Sequence, residues 1–283
     1  MTMPSANHPV TIVTVCYNSL AVLPAMLASV PAGVRVVLVD NASKDRVGLA
    51  ALAANRGATL IDNAENRGFG VACNHGAAAA ETEFLLFLNP DAELQPGALA
   101  ALVGAMARYP KASAMNPRIT EADGSPYFKR RSVIMPRGER MARGWPAADR
   151  EVTVLTGAAL FVRRSDFEAV GGFDPAIFLY HEDDDLSRRL RAERGPIMFI
   201  RGAEVRHLSG HSTSRNPQTA AFKAWHMGRS RVYASRKHGR LLPFTSATVS
   251  ALIQLLSPVT WSSRRKIAKQ WAYLRGVLSG LRH

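Results

Sequence analysis

The first 110 residues switch repeatedly between two kinds of apolar pattern, and this alternation limits the fold more than any other feature. "VTIVTVCY" (10–17) is a β-branched run. "SLAVLPAMLASV" follows, with Leu20, Leu23, Leu27 and Val30 at helical spacing and Ser19 placed as a cap. "VRVVLVD" (34–40) reads as a buried strand ending in Asp40, and Ser43 is placed to cap a helix from about Lys44 to Asn55. "ATLIDN" (58–63), "GVACNHGAAAAE" (70–81), "EFLLFLN" (83–89) and "PGALAALVGAMARY" (96–109) continue as strand, helix, strand and helix. Strands that are continuous apolar runs, alternating with helices, imply an α/β fold with a mostly parallel sheet covered on both faces. Ligands of such sheets bind beyond the carboxyl ends of the strands. Asp40, Asn66–Phe69 and Asn89–Asp91 all fall at or just after predicted strand ends, which points to one cleft.

The pattern lapses over 121–150, a stretch with seven Lys/Arg that reads as a mobile loop able to meet an anionic substrate. "EVTVLTGAALFVRRS" (151–165) returns to strand character, a short helix and "HEDDDLSRRL" (181–190) follow, and no internal repeat is visible.

Charge divides the chain. Residues 1–204 hold 22 Lys/Arg and 22 Asp/Glu, whereas 205–283 hold 14 Lys/Arg and no acid, so the net charge of +14 lies in the tail. A neutral body with a basic tail suits an anionic membrane face or nucleic acid. The absence of a nucleic-acid fold motif favours the membrane. Within the tail, Leu241–Ser263 is an uncharged stretch broken by Pro243 and Pro258 and flanked by "SRKHGR" and "RRKIAKQW". This favours an interfacial helical segment (240–283), appended to a body spanning 1–239, over a spanning helix; a helix pair packed on the body is the alternative. Cys16 and Cys73 show no disulfide or zinc spacing, and "MTMPSANHPV" lacks the features of a signal peptide. A cytoplasmic protein, peripheral on the inner membrane face, is therefore expected.

Three motifs carry chemistry. In "LNPDAE", Asn89 and Asp91 stand at i and i+2, on one face if the strand continues, where oxygens can hold Mg²⁺ or Mn²⁺; a plain Asn-Pro-Asp turn explains the same residues. "VRHLSGHSTS" offers His207 and His211, one of them as a further metal ligand and the other as an ordinary loop histidine; taken alone, the motif reads as a plain loop. "HEDDDLSRRL" stacks Glu182, Asp183, Asp184 and Asp185 at a helix start, where acids complement the dipole and arginines lie a turn later. The apolar lead-in "FDPAIFLY" argues instead for a carboxylate at the lip of a cleft, partly desolvated and competent as a general base.

"VTVCYN", "VDNAS", "NRGFGVACNHG", "LNPD", "GAALFVRRSDFEAVGGFD", "EDDDL" and "HLSGHST" occur in this order over about residues 10–240. Together they resemble the family-2 inverting glycosyltransferases of the GT-A fold, nearest the rhamnosyltransferase-like branch that builds bacterial O-antigen or cell-wall glycans. The resemblance implies a nucleotide-diphospho-sugar donor, with dTDP-rhamnose favoured, and a glycan or polyprenyl-linked acceptor. It implies Tyr17, Asn18 and Asp40 at the base and ribose, and Asn66, Arg67 and Asn74 facing donor sugar and diphosphate. Asn89 and Asp91 take the ends of the family's Asp-x-Asp metal motif, with His207 as the third metal contact. It makes Asp183 the base and Glu182 its acceptor-orienting neighbour, and leaves Asp184 or Asp185 to the helix start. Asn89 departs from the family acid and implies a loosely held ion. A non-catalytic nucleotide-sugar-binding or assembly protein of the same fold remains the alternative. A nucleotidyltransferase would require a glycine-rich basic loop after the first strand, which "CYNSLAVLP" does not supply.

Overall fold

The computed structural model describes residues 8–208 and 216–282. Its elements run β1 (Val10–Cys16), α1 (Leu23–Ser29), β2 (Arg35–Asp40), α2 (Arg46–Arg56), β3 (Thr59–Asp62), α3 (Phe69–Ala78), β4 (Phe84–Leu88), β5 (Ala92–Leu94) and α4 (Ala98–Arg108). There follow β6 (Ala114–Glu121), β7 (Pro126–Tyr127), β8 (Arg150–Val152), β9 (Ala159–Arg163), α5 (Arg164–Ala169), α6 (Glu182–Glu193) and β10 (Ile197–His207). The chain closes with α7 (Pro217–Lys237), α8 (Pro243–Leu256), α9 (Pro258–Trp261) and α10 (Arg264–Ser279).

One sheet organises the body, in the order β3-β2-β1-β4-β9-β6-β10-β5. The run β3-β2-β1-β4 is parallel, β9 runs against both β4 and β6, and β6 is parallel to β10. Six strands therefore point the same way. Every residue of β4, "FLLFL", is buried, because helices cover both faces. One apolar cluster gathers α1, α2 and α4 on one face, and another gathers α3, α5 and α6 on the other.

Four local expectations need correction. Helix α1 starts only at Leu23, beside Pro24, and Ser19 contributes its carbonyl to Val22 and Leu23 rather than a side-chain cap. Asp45, not Ser43, caps α2, its carboxylate accepting from the Gly48 amide at 2.8 Å. The 151–165 stretch splits into β8 and β9, because Thr156 to Ala158 leave the sheet to line the strand ends. The 121–150 stretch is also not structureless. It pairs β7 with β6, buries Ile134 and Met135, and ties its backbone to α6 through Arg188, which donates to the Ile134 carbonyl at 2.8 Å. Apolar residues were too few there to give a period, but two of them suffice to root a loop.

Beyond the sheet, α7, α8 and α10 share a small core of Ala224, Val232, Ala247, Ala251, Tyr273 and Val277. Gly228 and Gly276 let α7 and α10 touch backbone to backbone: a Cβ on Gly276 would strike the Trp225 carbonyl, and one on Gly228 the Tyr273 carbonyl. No helix among the described residues is long and apolar enough to cross a membrane; Ser257 and Pro258 divide the uncharged stretch into α8 and α9.

The end of α7 is bound to the start of α6. Asp185, fully buried, receives His238 Nε2 and Lys237 Nζ on Oδ1, both at 2.7 Å, and Arg189 Nη2 on Oδ2 at 2.7 Å. Asp185 is thus an anchor between helices rather than a solvated acid complementing a dipole. Burial pushes its pKa up, but bonds from His238, Lys237 and Arg189 outweigh this and hold it down at about 2. A depressed carboxylate stabilises the fold above its unfolded pKa of 3.8 and loses that contribution as pH falls through about 2. This group should contribute roughly 2 kcal/mol at neutral pH. Urea unfolding of wild type and Asp185→Asn should therefore differ most at pH 7 and converge near pH 2; a constant difference would contradict the assignment.

Candidate active site

Beyond the ends of β1 and β2 opens a cleft of about 440 Å³ lined by Asn18, Ser19, Leu20, Ser43, Lys44 and Asp45, with Cys16, Ala21 and Leu49 behind. Asn18 shapes it from a left-handed backbone (φ 53°), donating its amide to Ser43 Oγ and accepting from the Lys44 amide on Oδ1. Tyr17 is exposed at 39 % beside it. Asp40 does not line the cleft. It is wholly buried beneath, where Oδ1 accepts from the Ser43 amide and Oδ2 lies 3.7 Å from Arg46.

The neighbouring turn is built on asparagines. Asn41 accepts from the Arg67 amide and from Asn63, and donates to Asn66 Oδ1 and the Gly68 carbonyl. Asn66 also accepts from the Gly68 amide, while the Arg67 guanidinium points outward to Glu65 at 2.9 Å. Asn74 spends both ends of its amide on the Phe173 backbone, so it holds α3 to the 171–173 turn. Asn41 and Asn63 were not singled out from the sequence; "VDNAS" places Asn41 at a strand end, and that was the available signal.

At the end of β4 the chain turns immediately. Asn89 accepts from the Ala92 amide through its carbonyl, so Asn89 and Asp91 lie in a tight turn, not on a continued pleat. They converge nonetheless. β5 pairs antiparallel with β10 and sets His207 opposite Ala92, leaving His207 Nε2 at 3.3 Å from Asp91 Oδ1 and 3.4 Å from Asn89 Nδ2. A carboxylate, an imidazole and an amide oxygen reachable by rotating Asn89 form a donor set suited to Mg²⁺ or Mn²⁺. No cluster of three His, Cys, Asp or Glu occurs among the described residues, as Asn at 89 leaves only Asp91 and His207 to count. His211 lies outside the described residues.

Asp183 stands one residue away from this turn. Gly157 donates its amide to Asp183 Oδ2 at 3.0 Å, and the next carbonyl, Ala158, accepts from the Asn89 amide at 3.0 Å. Asp183 Oδ1 accepts from the Asp184 amide and meets Lys129 Nζ at 2.6 Å; Lys129 also reaches Asp184 at 2.7 Å. Burial acts to lower the Lys129 pKa, but Asp183 and Asp184 outweigh it and raise it, so the ammonium stays charged. Burial also pushes the Asp184 carboxyl up, and Lys129 and His181 more than reverse this. Glu182 is the odd member: its Oε2 is buried without a hydrogen bond among the described residues, and burial, then the Asp183 charge, lifts its pKa to about 8. The shift favours the protonated acid, which is able to donate.

Two successive left-handed residues, Tyr180 (φ 66°) and His181 (φ 70°), turn the chain sharply into α6 and aim these acids at the strand ends. The Phe178 carbonyl accepts from the Phe69 amide at 3.0 Å, and a Cβ at Gly68 (φ 83°) would strike that same carbonyl. The turn before α3 and the loop before α6 therefore meet directly. Lys129 was hidden among the seven bases of its loop, with no periodic signal to separate it.

The model of Glycosyl transferase family 2 matches residues 11–171, more than half of the chain. The chain is a family-2 glycosyltransferase. An N-acetylglucosaminyl-diphospho-decaprenol L-rhamnosyltransferase of Mycobacterium tuberculosis is 32% identical to it over 260 residues, covering 80% of this chain and 84% of the relative. The rhamnosyltransferase WbbL of Escherichia coli is 33% identical over a shorter stretch of 90 residues, 32% of this chain and 33% of the relative. Among solved structures, the glycosyltransferase resembles S. aureus TarS 1-349 (TM-score 0.58, 15% identity, covering 96% of this chain and 91% of the other). It also resembles the Pyrobaculum calidifontis mannosyltransferase PcManGT in complex with GDP-Man and Mn²⁺ (TM-score 0.59, 14% identity, 99% and 90%). Its fold is accordingly of the GT-A type.

Proposed function

We propose that this glycosyltransferase moves L-rhamnose from dTDP-rhamnose, with inversion, to a hydroxyl of a polyprenyl-diphosphate-linked sugar or related glycan at the cytoplasmic face of the membrane, in bacterial surface-polysaccharide synthesis. The reading is carried by one juxtaposition: the Gly157–Ala158 segment bonds Asp183 through one group and Asn89 through the next. The relative named for rhamnosyl transfer to a decaprenol-linked acceptor supports the choice of sugar and acceptor.

In this reading Tyr17 and Asn18 border the base and ribose, with Asp40 fixing the loop from below. Asn66 shapes the turn beside the donor sugar and diphosphate, Arg67 reaches the diphosphate by swinging away from Glu65, and Asn74 holds the helix behind them. Asp91 and His207, with Asn89, hold a divalent cation, which when bound offsets negative charge on the departing diphosphate. Asp183 removes the acceptor hydroxyl's proton as that oxygen bonds to the anomeric carbon. The bond from that carbon to the diphosphate breaks on the opposite face, and nucleoside diphosphate leaves with the electron pair. Lys129 and the Gly157 amide hold the carboxylate in place, and Glu182, carrying its own proton, donates a hydrogen bond to the acceptor. Incubating the whole protein with radiolabelled dTDP-rhamnose, Mg²⁺ and farnesyl-diphospho-N-acetylglucosamine should yield a labelled, extractable lipid. Label transferred only from a uridine-linked donor would replace the donor assignment, and no transfer from any donor would favour a binding or assembly role.

The tail supports the membrane part of the proposal. Val249, Leu252, Ile253 and Leu256 recur at i, i+3, i+4 and i+7 and stay exposed, while Ala247, Ala251 and Leu255 face the helix core. Exposed Val259 and Trp261 follow, then Arg264, Arg265 and Lys266. Such a face with cationic flanks suits the interfacial region of an anionic bilayer. The full-length protein should float with phosphatidylglycerol vesicles, and Leu252→Ser/Ile253→Ser/Leu256→Ser should reduce the floated fraction several-fold. Equal flotation would remove α8 from the membrane contact. Point substitutions are needed because cutting at Gly239 would strip α7 of its α10 partner.

A further inference from the structure

The basic loop between β7 and β8 has one residue committed to the acids of α6 and five arginines that form no ion pair among the described residues. Lys129 holds Asp183 and Asp184. Arg130, Arg131, Arg137, Arg140 and Arg143 form no ion pair among the described residues, as is also true of Arg56 and Arg150; what sets Arg130, Arg131, Arg140 and Arg143 apart is their grouping. The Met141 amide donates to the Arg130 carbonyl at 2.9 Å, and Arg130 Nη1 donates back to the Met141 carbonyl at 3.3 Å, closing the loop upon itself. Desolvation, then the like charges of Arg140, Arg131 and Arg143, lower the pKa of Arg130, which places the four guanidinium groups near one another.

The loop that carries them is fixed to the catalytic helix at two points. Besides Lys129, Arg188 of α6 grips the Ile134 carbonyl, with Ile134 wholly buried beneath. Arg130 follows Lys129 directly, so their Cα atoms lie about 3.8 Å apart. Arg131, Arg140 and Arg143 are exposed, so the set is open to an anionic ligand next to Lys129, which pairs with Asp183. Planar guanidinium groups match phosphate oxygens in paired hydrogen bonds.

We infer that Arg130, Arg131, Arg140 and Arg143 form an acceptor subsite that binds the diphosphate of the lipid-linked sugar, so that the sugar's hydroxyl is presented to Asp183. The inference rests on the lipid-linked acceptor proposed above and adds the part of the chain that recognises it. The donor's diphosphate is served instead by the Asn89–Asp91–His207 turn, and vesicle headgroups by the tail. The loop thereby measures the acceptor: a sugar lacking the diphosphate loses these contacts and is held loosely.

Calorimetric titration of the whole protein at low salt, with two soluble probes, tests this. One probe is farnesyl-diphospho-N-acetylglucosamine, and the other is the same sugar on a phosphate-free farnesyl ether. Wild type should bind the first at least tenfold more tightly. R130Q/R131Q/R140Q/R143Q should bring the two within about twofold, with thermal midpoint and dTDP-rhamnose binding unchanged. R131Q/R143Q, which removes two exposed guanidiniums without touching the Met141 bonds, should give an intermediate ratio. R264Q/R265Q/K266Q/K269Q in the tail should retain the wild-type ratio. Wild type showing no preference or binding neither probe, a loop variant keeping the full preference, or a tail variant losing it would each overturn the inference. The two readings fail separately: preference without any sugar transfer would remove the transfer reading and leave this subsite, whereas equal transfer to both probes would do the reverse.

Discussion

Asp183→Asn should lower kcat by about a hundred- to ten-thousandfold, the range a positioned general base contributes. Asparagine keeps the shape of the carboxylate, so the Gly157 amide still has an acceptor at its 3.0 Å position and the fold is preserved. The capacity to take a proton is lost, together with the charge on Oδ1 that meets Lys129. Binding of dTDP-rhamnose should stay within about twofold, because Asp183 touches the Gly157 amide, the Asp184 amide and Lys129 rather than the cleft at the ends of β1 and β2. Steady-state kinetics alongside a donor titration separates the two effects. An unchanged kcat would transfer the role of base to another acid. Glu182, buried beside Asp183 with a raised pKa, would be the first to test.

The second large effect is on stability. Gly276→Ala puts a methyl group into the Trp225 carbonyl, where backbone meets backbone and no side chain can swing aside. Overpacking of this kind costs about 1–3 kcal/mol. For a chain of this size, that is a fall of roughly 2–10 °C in thermal midpoint. Gly104→Ala is the control: it lies inside α4, and its new Cβ would find only Arg108 Nη1 at 3.9 Å. There the same substitution should be neutral or raise the midpoint, since alanine suits a helix interior better than glycine. If both variants melted alike, the close contact between α7 and α10 would be wrong. Because Asp185 ties α7 to α6, the helix that carries the proposed base, through Lys237 and His238, Gly276→Ala should also cost activity.

The sheet was legible because its strands are buried on both faces and so appear as unbroken apolar runs, "VTIVTVC" and "FLLFL" above all. What the sequence could not give was pairing at long range. Nothing near Lys129 in the chain announces that it will end against Asp183, 54 residues onward, in a loop whose arginines all look alike. Asp185 was legible as an acid at a helix start, yet its partners arrive from the far end of α7, and that contact makes it an anchor. Asn89 and Asp91 were recognised as a pair, and the turn that brings them to His207 depends on β5 pairing with β10, a contact over more than a hundred residues. Local chemistry was visible; the partners that decide which acid reacts and which one holds were not.

The central claim is that the cleft at the ends of β1 and β2 and the Asn89–Asp91–His207 turn together bind a nucleotide-sugar. Calorimetric titration of the whole protein with dTDP-rhamnose, in Mg²⁺ and then in chelator, tests it most directly, with Asp91→Ala as the companion. Saturable binding in Mg²⁺ that weakens at least tenfold in chelator, and equally in Asp91→Ala with the metal present, is the predicted result. No binding of dTDP-rhamnose or of any uridine-diphospho-sugar in either condition would contradict the account.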